Sequence, residues 1–282
     1  MLRKLIALIV LVLGLGRPLS AQRADSIEVI FFNVGQGDAV LVRSFEGRAA
    51  LIDAGPDSDI LDRLREYHVD SLDLVIATHP HRDHIGGMPT VLGTTPVARY
   101  IDNGHPFDSY QWRRLKWTLD TMETRRSVAK AETLSLGGAQ IRILPPMPNS
   151  DGNPNNESVG ALVQFGAFTA LLTGDSERQE LGYFVSLGIP NVTLLKAAHH
   201  GALNGVNLGW MQATRPKLVV ISVGINSYGH PDSLALRFYR NSTRAIYRTD
   251  IDGTVRVIGY KDGTWRVETA AAELGTRAAA AR

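Results

Sequence analysis

The 282-residue chain contains no cysteine. This absence excludes a disulfide framework, a thiolate metal site and a cysteine nucleophile. An excess of charge of one sign is also missing, because 30 lysine and arginine residues face 28 aspartate and glutamate residues, a net charge of +2. Hydrophobic residues make up 44% and charged residues 21% of the chain, which excludes wholesale disorder and fibrous folds.

A long hydrophobic run occurs at the N-terminus. Arg3 and Lys4 precede an apolar stretch from Leu5 to Leu15, and the small residues Ser20 and Ala21 follow. This layout predicts a signal peptide over residues 1–21 and an exported protein, periplasmic or extracellular. A retained N-terminal membrane anchor is the alternative, although the apolar run is short for a bilayer span. Residues 22–282 carry 27 basic and 28 acidic residues, a net charge of −1 that offers no overall attraction for nucleic acid.

Strand-length apolar runs begin at Ile27 and alternate with helical patterns. The runs 27–34, 39–45 and 49–54 are separated by turn residues and predict an antiparallel meander. Two strand-rich halves that meet near residue 150 predict two sheets packed face to face with helices outside. The fold class is therefore α/β, a four-layer αββα sandwich, in a single domain over residues 22–269. An alanine-rich, frayed tail is expected over residues 270–282.

Three of the eight histidines lie within six residues, in the sequence H-x-H-x-D-H that directly follows the apolar run 72–78. His79 and His81 are two apart on an extended segment, so their imidazoles point the same way. Asp83 and His84 follow where the chain turns and can face a second point. One strand end can thus supply two ligands to each of two metal ions, for which Zn²⁺ is the first choice and Mn²⁺ or iron the alternatives.

Three later strands also end in residues that can bind metal. Asp175 follows the run 168–173, the pair His199 and His200 follows 192–197, and His230 lies in the loop after 218–223. Adjacent histidines at the end of an extended strand point to opposite sides, so at most one of the pair is expected to bind a metal. The two histidines without this placement, His68 and His105, are predicted to be surface or structural residues.

These motifs carry a family resemblance. H-x-H-x-D-H after a buried strand, then Gly-Asp, then His-His-Gly resembles the metallo-β-lactamase superfamily. The segments FFNVGQGDAVLVR, LIDAG, THPHRDHIGG, NNESVGALVQFG, LLTGD, LLKAAHHG and SVGINSYGHP resemble, in order over about residues 27–260, the hydrolase domain of ComEC-type DNA-uptake channels. The resemblance implies an αββα fold and a hydrolytic site with two divalent metal ions.

The resemblance also implies a ligand set. His79 and His81 would hold one ion, Asp83, His84 and His200 the other, and Asp175 would bridge the two, while His199 would face the substrate. The superfamily usually has a further histidine before the Gly-Asp strand, but residues 145–158 contain none, which suggests an open position on the first ion. Four further residues are predicted to contact substrate, namely Asn155, Asn156, Ser158 and Lys196.

A paired-metal site favours hydrolysis, and the resemblance favours a phosphodiester substrate, with DNA as one candidate. Asp83 or Asp175 would orient the attacking water, and His199 or His230 would stabilise the developing oxyanion or protonate the leaving oxygen. Hydrolysis of a lactam, lactone or thioester is the alternative reaction. A catalytically inert metal-binding or interaction module is the alternative without catalysis.

One segment could contact nucleic acid. Residues 110–130 predict a helix that carries six cations together with Trp112 and Trp117. A basic, aromatic helix can follow a phosphate backbone. The same pattern also fits a solvated helix that packs its tryptophans on the core.

Overall fold

The computed structural model describes residues 25–150 and 152–272. The predicted signal peptide and the part of the predicted tail beyond residue 272 lie outside these residues. Within the described ranges, no helix combines the length and the apolar character that a bilayer span requires.

The strands form two sheets. The first has eight strands in the order β15-β14-β1-β2-β3-β4-β5-β6, and the second has seven in the order β13-β12-β11-β10-β9-β8-β7. The first-sheet strands are β1 Ser26–Phe31, β2 Val40–Ser44, β3 Ala49–Ile52, β4 Leu74–Ile76, β5 Arg99–Asp102, β6 Arg125–Val128, β14 Val255–Tyr260 and β15 Trp265–Thr269. The second-sheet strands are β7 Glu132–Leu136, β8 Ala139–Leu144, β9 Gly160–Phe165, β10 Phe168–Leu172, β11 Leu194–Lys196, β12 Leu218–Ile221 and β13 Ala245–Arg248.

Helices cover the outer face of each sheet. The α-helices are α1 Ile60–Glu66, α2 Arg82–Ile85, α3 Met88–Thr94, α4 Tyr110–Thr121, α5 Arg178–Ser186, α6 Leu208–Thr214, α7 Ser233–Ser242 and α8 Thr249–Asp252. Side chains from α1–α4 pack with Ile30, Leu41 and Val75 of the first sheet. Side chains from α5–α7 pack with Leu171, Leu195 and Val219 of the second. A third apolar cluster lies between the sheets, so the predicted αββα sandwich is confirmed.

The strand directions explain why several polar residues meet at one place. The predicted meander is confirmed, because β1, β2 and β3 pair antiparallel. From β3 to β6 the pairing is parallel, and so is the pairing from β10 to β13. In a parallel sheet the carboxyl ends of neighbouring strands share an edge, which is where α/β proteins bind ligands. The loops after β3, β4, β10, β11 and β12 leave from such ends.

Two features differ from the sequence-based expectation. The chain crosses to the second sheet between β6 and β7 rather than near residue 150, and β14 and β15 return to the first sheet beside β1. The helix predicted over residues 110–130 ends at Thr121, and Arg125–Val128 forms the edge strand β6. Pairing with β5 decides the conformation there, since tertiary context overrides weak helix propensity.

Gly259 controls how closely the two sheets approach. It lies in β14 of the first sheet, and a Cβ atom added there would be 2.4 Å from the ring of Phe168 in β10 of the second. We expect Gly259→Ala to lower the free energy of unfolding by about 1–3 kcal/mol, the usual cost of overpacking a core. Urea unfolding measures this change.

Gly93 provides the matched control. It is exposed in α3, and an added Cβ would have no heavy atom within 4 Å. Gly93→Ala is expected to raise the free energy of unfolding by about 0.5–1 kcal/mol, the gain in helix propensity. Equal effects of the two substitutions would contradict this view of the interface between the sheets.

Candidate metal centre

The H-x-H-x-D-H motif leaves the first sheet at the end of β4. His81 is extended and precedes α2, whose single turn carries Asp83 and His84. His79 and His84 are 1% and 0% exposed. His79 Nε2 lies 3.0 Å from His81 Nδ1, so the two rings face the same point, as their spacing predicts.

The second sheet contributes Asp175 and the His199-His200 pair. Gly174 before Asp175 has φ +53° and lies against Thr78, where a Cβ would be 2.7 Å from Oγ1. This close approach brings the loops after β4 and β10 together. The paired histidines differ from the expectation for an extended strand, because His199 and His200 adopt left-handed backbone angles, with φ of 51° and 52°. Both rings therefore point toward Asp175.

Four donor atoms form the tightest cluster. His84 Nε2 lies 3.8 Å from Asp83 Oδ2 and 3.3 Å from Asp175 Oδ2, and His200 Nε2 lies 3.2 Å and 3.4 Å from the same two oxygens. Tetrahedral ligands with bonds of about 2.0–2.1 Å to zinc lie about 3.4 Å apart. Both histidine nitrogens are buried and lack a hydrogen-bond partner among the described residues. The cluster therefore fits one divalent cation.

A second set of donors lies on the other side of Asp175. His79 Nε2 and His199 Nε2 are 3.9 Å and 3.8 Å from Asp175 Oδ2, and His81 adjoins His79. These two separations are longer than the distances from Asp175 Oδ2 to the nitrogens of His84 and His200 in the tetrahedral set. The structure brings together all six predicted ligands and His199; which of them bind metal remains a prediction.

Asp53 supports the candidate centre through His84, and sequence reasoning missed it. Its Oδ2 lies 2.7 Å from His84 Nδ1, and it also accepts hydrogen bonds from the backbone N–H and the hydroxyl of Thr78. A carboxylate on the far nitrogen of a metal-binding histidine fixes the ring and its tautomer. Asp53 directly follows β3 in the segment LIDAG, and this placement at a strand end was the available signal.

Asp38 and Lys196 form a buried ion pair beneath the cluster. Lys196 Nζ lies 2.5 Å from Asp38 Oδ2, and Lys196 also donates hydrogen bonds to the carbonyl oxygens of Gly174 and Ala197. Asp38 Oδ1 is 3.5 Å from His200 Nδ1, which faces the carbonyl of Ser222 at 2.9 Å. Lys196 is 2% exposed, which argues for a supporting role rather than the predicted contact with substrate. The Lys196 ammonium supplies positive charge beside Asp38, and the partner of Asp53 is His84.

The buried charges compensate one another. Burial opposes protonation of His200, but the carboxylates of Asp175 and Asp38 raise its pKa to about 10. Despite burial, Asp175 and Asp53 raise the pKa of His84 well above its usual value. Burial and the nearby His84 instead lower the pKa of His79 well below its usual value. The carboxylates thus attract positive charge to this point, and a bound metal ion would replace the protons.

A cavity of about 350 Å³ opens above the cluster. It is lined by Gln36, His81, Arg82, Asp83, Asn155, Asp175, His199, His200, Tyr228 and His230. Of the four residues predicted to contact substrate, only Asn155 lines it. Asn156 and Ser158 are 2% and 0% exposed and lie beneath its surface.

The two remaining histidines lie apart from this cavity's lining. His68 is exposed, and His105 pairs with Glu157, 2.7 Å from Nδ1 to Oε2. Both positions agree with the expectation of surface or structural residues.

Glu180 holds the turn that carries Asn155. It is 0% exposed and accepts hydrogen bonds from the backbone N–H groups of Met147 and Ser158 and from the hydroxyl of Ser176. Because desolvation outweighs these hydrogen bonds, the pKa of Glu180 rises to about 8.

The comparison with protein families agrees with this site. A model of the metallo-beta-lactamase superfamily matches residues 32–215. The chain belongs to the metallo-beta-lactamase superfamily. Its cluster of histidine and aspartate side chains is suited to divalent metal ions.

Known relatives and solved structures resemble most of the chain. ComE operon protein 3 of Bacillus subtilis is 26% identical over 81% of this chain and 32% of its own length. Recombination protein 2 of Haemophilus influenzae is 25% identical over 83% of this chain and 29% of its own length. The chain thus spans about a third of these ComEC-like relatives. The structure of CmlA, a diiron β-hydroxylase from Streptomyces venezuelae, has the same fold, with a TM-score of 0.55 and 18% identity over 87% of this chain and 54% of CmlA.

Glu180 gives a prediction for the pH dependence of stability. The unfolded chain releases this proton near pH 4.5, whereas the folded chain keeps it to about pH 8. The contribution of Glu180 to the free energy of unfolding is therefore complete below pH 4.5 and is lost as the pH rises through 8. Glu180→Gln removes this titration. The free energy of unfolding of wild type, relative to that of the variant, should therefore be lower at pH 8.5 than at pH 5.5. Urea unfolding at the two pH values measures it, and an unchanged difference would contradict the raised pKa.

Loss of His200 tests the tetrahedral cluster. We expect the wild type to retain two metal ions per chain after dialysis and His200→Ala to retain one, because the variant lacks a donor to the tightest set. Inductively coupled plasma mass spectrometry gives the stoichiometry. His68→Ala is the control, since His68 is exposed and does not line the cavity. Equal metal content in His200→Ala and wild type would contradict the proposed ligand set.

Proposed function

We propose that the protein is an exported hydrolase of phosphodiesters, with DNA among its candidate substrates. It would use two divalent cations, zinc in the first place and manganese as the alternative. The observation that carries the proposal is the group of candidate metal-binding side chains on both sides of the Asp175 carboxylate, His79 on one side and His84 and His200 on the other, at the base of an open polar cavity. Two divalent cations activate water and neutralise the charge that develops on an attacked phosphate.

Side chains around the cavity can orient the attacking water and contact the substrate. Asp83 is the more accessible of the two central carboxylates, with 32% of its side chain exposed against 3% for Asp175. Asp83 is therefore suited to orient the attacking water, and Asp175 to hold the centre together. His199 and His230 line the same cavity, with ring centroids 5.3 Å apart.

The two histidines are suited to different roles. Burial and the neighbouring His199 lower the pKa of His230, so its ring is neutral at neutral pH and can donate one hydrogen bond to a substrate oxygen. His199 has Glu177 Oε1 at 3.7 Å from its Nδ1 and can supply a proton to the leaving oxygen.

An anionic substrate is favoured over a lactam, lactone or thioester. Arg82 lines the cavity, and in the described part of the chain it has no carboxylate partner. A guanidinium at this position would attract a phosphodiester by charge and by paired hydrogen bonds. The relatives add support, since one of them is named for recombination. Export rests on the N-terminal pattern of residues 1–21.

Hydrolysis of bis(p-nitrophenyl) phosphate tests the proposal. We expect metal-dependent release of nitrophenol that a chelator abolishes. Asp83→Asn should lower kcat by at least about 100-fold, because it removes a carboxylate that acts on the attacking water. Asp62→Asn is the matched control, since Asp62 is exposed in α1 and pairs only with Arg65 among the described residues.

Two outcomes would overturn the proposal. Turnover of nitrocefin with no phosphodiester hydrolysis would favour the lactam reaction. Metal-loaded protein without any hydrolysis would favour the inert module.

A further inference from the structure

The central cavity continues into a groove on each side. A cavity of about 480 Å³ adjoins it at Arg82 and is lined further by Tyr110, Gln111 and Arg114. Another of about 360 Å³ adjoins it at Tyr228 and His230 and is lined further by Arg178 and Asn204. We call them the first-sheet groove and the second-sheet groove. No residue lines both of them.

The two grooves belong to opposite outer layers of the sandwich. The walls of the first-sheet groove come from α2, α3, α4 and the loop before α1, which cover the first sheet. The walls of the second-sheet groove come from α5, the segment 202–204 and the start of α7, which cover the second. The candidate metal cluster lies between the layers. Because each groove shares lining residues with the central cavity, we treat the three cavities as one path across the edge of the sandwich.

Arginines without carboxylate partners line this path. Arg82, Arg114 and Arg178 take part in no ion pair among the described residues; Arg82 and Arg178 contact only the backbone oxygens of Pro56 and Leu203. By contrast, the neighbouring cations of α4 are paired, Arg113 with Asp108 and Lys116 with Asp120. Three cations without a carboxylate partner therefore lie along the path.

Each groove also has an exposed tyrosine. Tyr110 in the first-sheet groove is 67% exposed, and Tyr228 in the second-sheet groove is 74% exposed. The Tyr228 ring lies against His230, with centroids 5.7 Å apart, which places a flat aromatic surface directly beside the central cavity. Exposed aromatic rings that alternate with cations are the features with which proteins bind unpaired bases and their phosphates.

We propose that a single strand of nucleic acid crosses the whole path, with Tyr110 and Tyr228 stacking bases on either side of the scissile phosphate. This inference rests on the proposed function. It adds the two stacking residues and the route of the strand across the three cavities. Because the grooves extend the central cavity on both sides, the substrate needs no free end. The enzyme therefore cuts internal phosphodiesters. A duplex is disfavoured, since its bases are already stacked on each other and cannot reach the tyrosines.

Cleavage of a circular oligothymidylate tests the open path. We expect the metal-loaded protein to linearise the circle and to cut a linear oligothymidylate at internal positions. If the linear strand is shortened from its ends and the circle is untouched, the inference is wrong while the proposed function stands. If bis(p-nitrophenyl) phosphate also resists hydrolysis, the proposed function itself fails.

A binding experiment tests the tyrosines independently of hydrolysis. The probe is a fluorescein-labelled phosphorothioate oligothymidylate, which resists cleavage, and anisotropy gives its Kd with metal-loaded protein. We expect Tyr110→Ala and Tyr228→Ala each to weaken binding about tenfold, within the range for loss of one stacked base. An abasic strand of the same length lacks both stacked bases, so it should bind wild type about as weakly as oligothymidylate binds the double variant Tyr110→Ala/Tyr228→Ala.

Trp117→Ala is the matched control for the binding experiment. Trp117 is 68% exposed on the same helix as Tyr110 but lines neither groove. Its replacement should leave Kd unchanged. Equal effects of all three substitutions, no effect of the tyrosine substitutions, or tighter binding of a duplex of the same length would overturn the inference. Hydrolysis of bis(p-nitrophenyl) phosphate should be unchanged in Tyr110→Ala, which shows that the centre is intact.

Discussion

The Asp175 carboxylate is the interaction on which the site depends. Its Oδ2 lies within 4 Å of nitrogen atoms from four histidines, two on the loop after β4 and two on the loop after β11. An unpaired buried carboxylate is costly, so this arrangement requires a compensating positive charge. Despite burial, His200 and His84 hold the pKa of Asp175 well below its usual value. Protons on these histidines, or metal ions in their place, supply that charge.

The surrounding fold keeps these groups in position. Asp53 orients His84, and the Lys196–Asp38 pair lies behind His200. Left-handed backbone angles at His199 and His200 cost about 1 kcal/mol or more each and persist only where the surroundings enforce them. The parallel strands of both sheets provide those surroundings, because their loops meet at one edge. Stability has thus been given up locally to place donor atoms, which is common in functional sites.

Much of this arrangement could be predicted from the sequence. The spacing in H-x-H-x-D-H and the positions of Asp175 and His200 after strands pointed to one edge of the fold, and the turn residues predicted the antiparallel meander. Metal-binding side chains close together in the sequence face the same point because the periodicity of a strand fixes the direction of its side chains. Residues distant in the chain meet because parallel strands align their carboxyl ends.

The features that the sequence did not predict depend on tertiary contacts, which no local pattern encodes. The predicted geometry of the pair His199 and His200 was wrong, because both residues adopt left-handed backbone angles and do not continue the extended strand. Asp53 follows a strand, but its contact with His84 required the three-dimensional structure. Asp38 lies in an ordinary turn sequence, and only its contacts with His200 and Lys196 reveal it. The segment after Thr121 has a helical composition but pairs with β5. The cavities on both sides of the centre, with Tyr110 and Tyr228 in their walls, likewise required three-dimensional positions.

The claim that one carboxylate joins two metal sites can be tested directly by anomalous X-ray diffraction from crystals of the metal-loaded protein. The account predicts two anomalous peaks about 3.5–4 Å apart, the usual spacing of a hydrolytic metal pair, with Asp175 between them. A single peak, or two peaks of which neither lies beside Asp175, would contradict it.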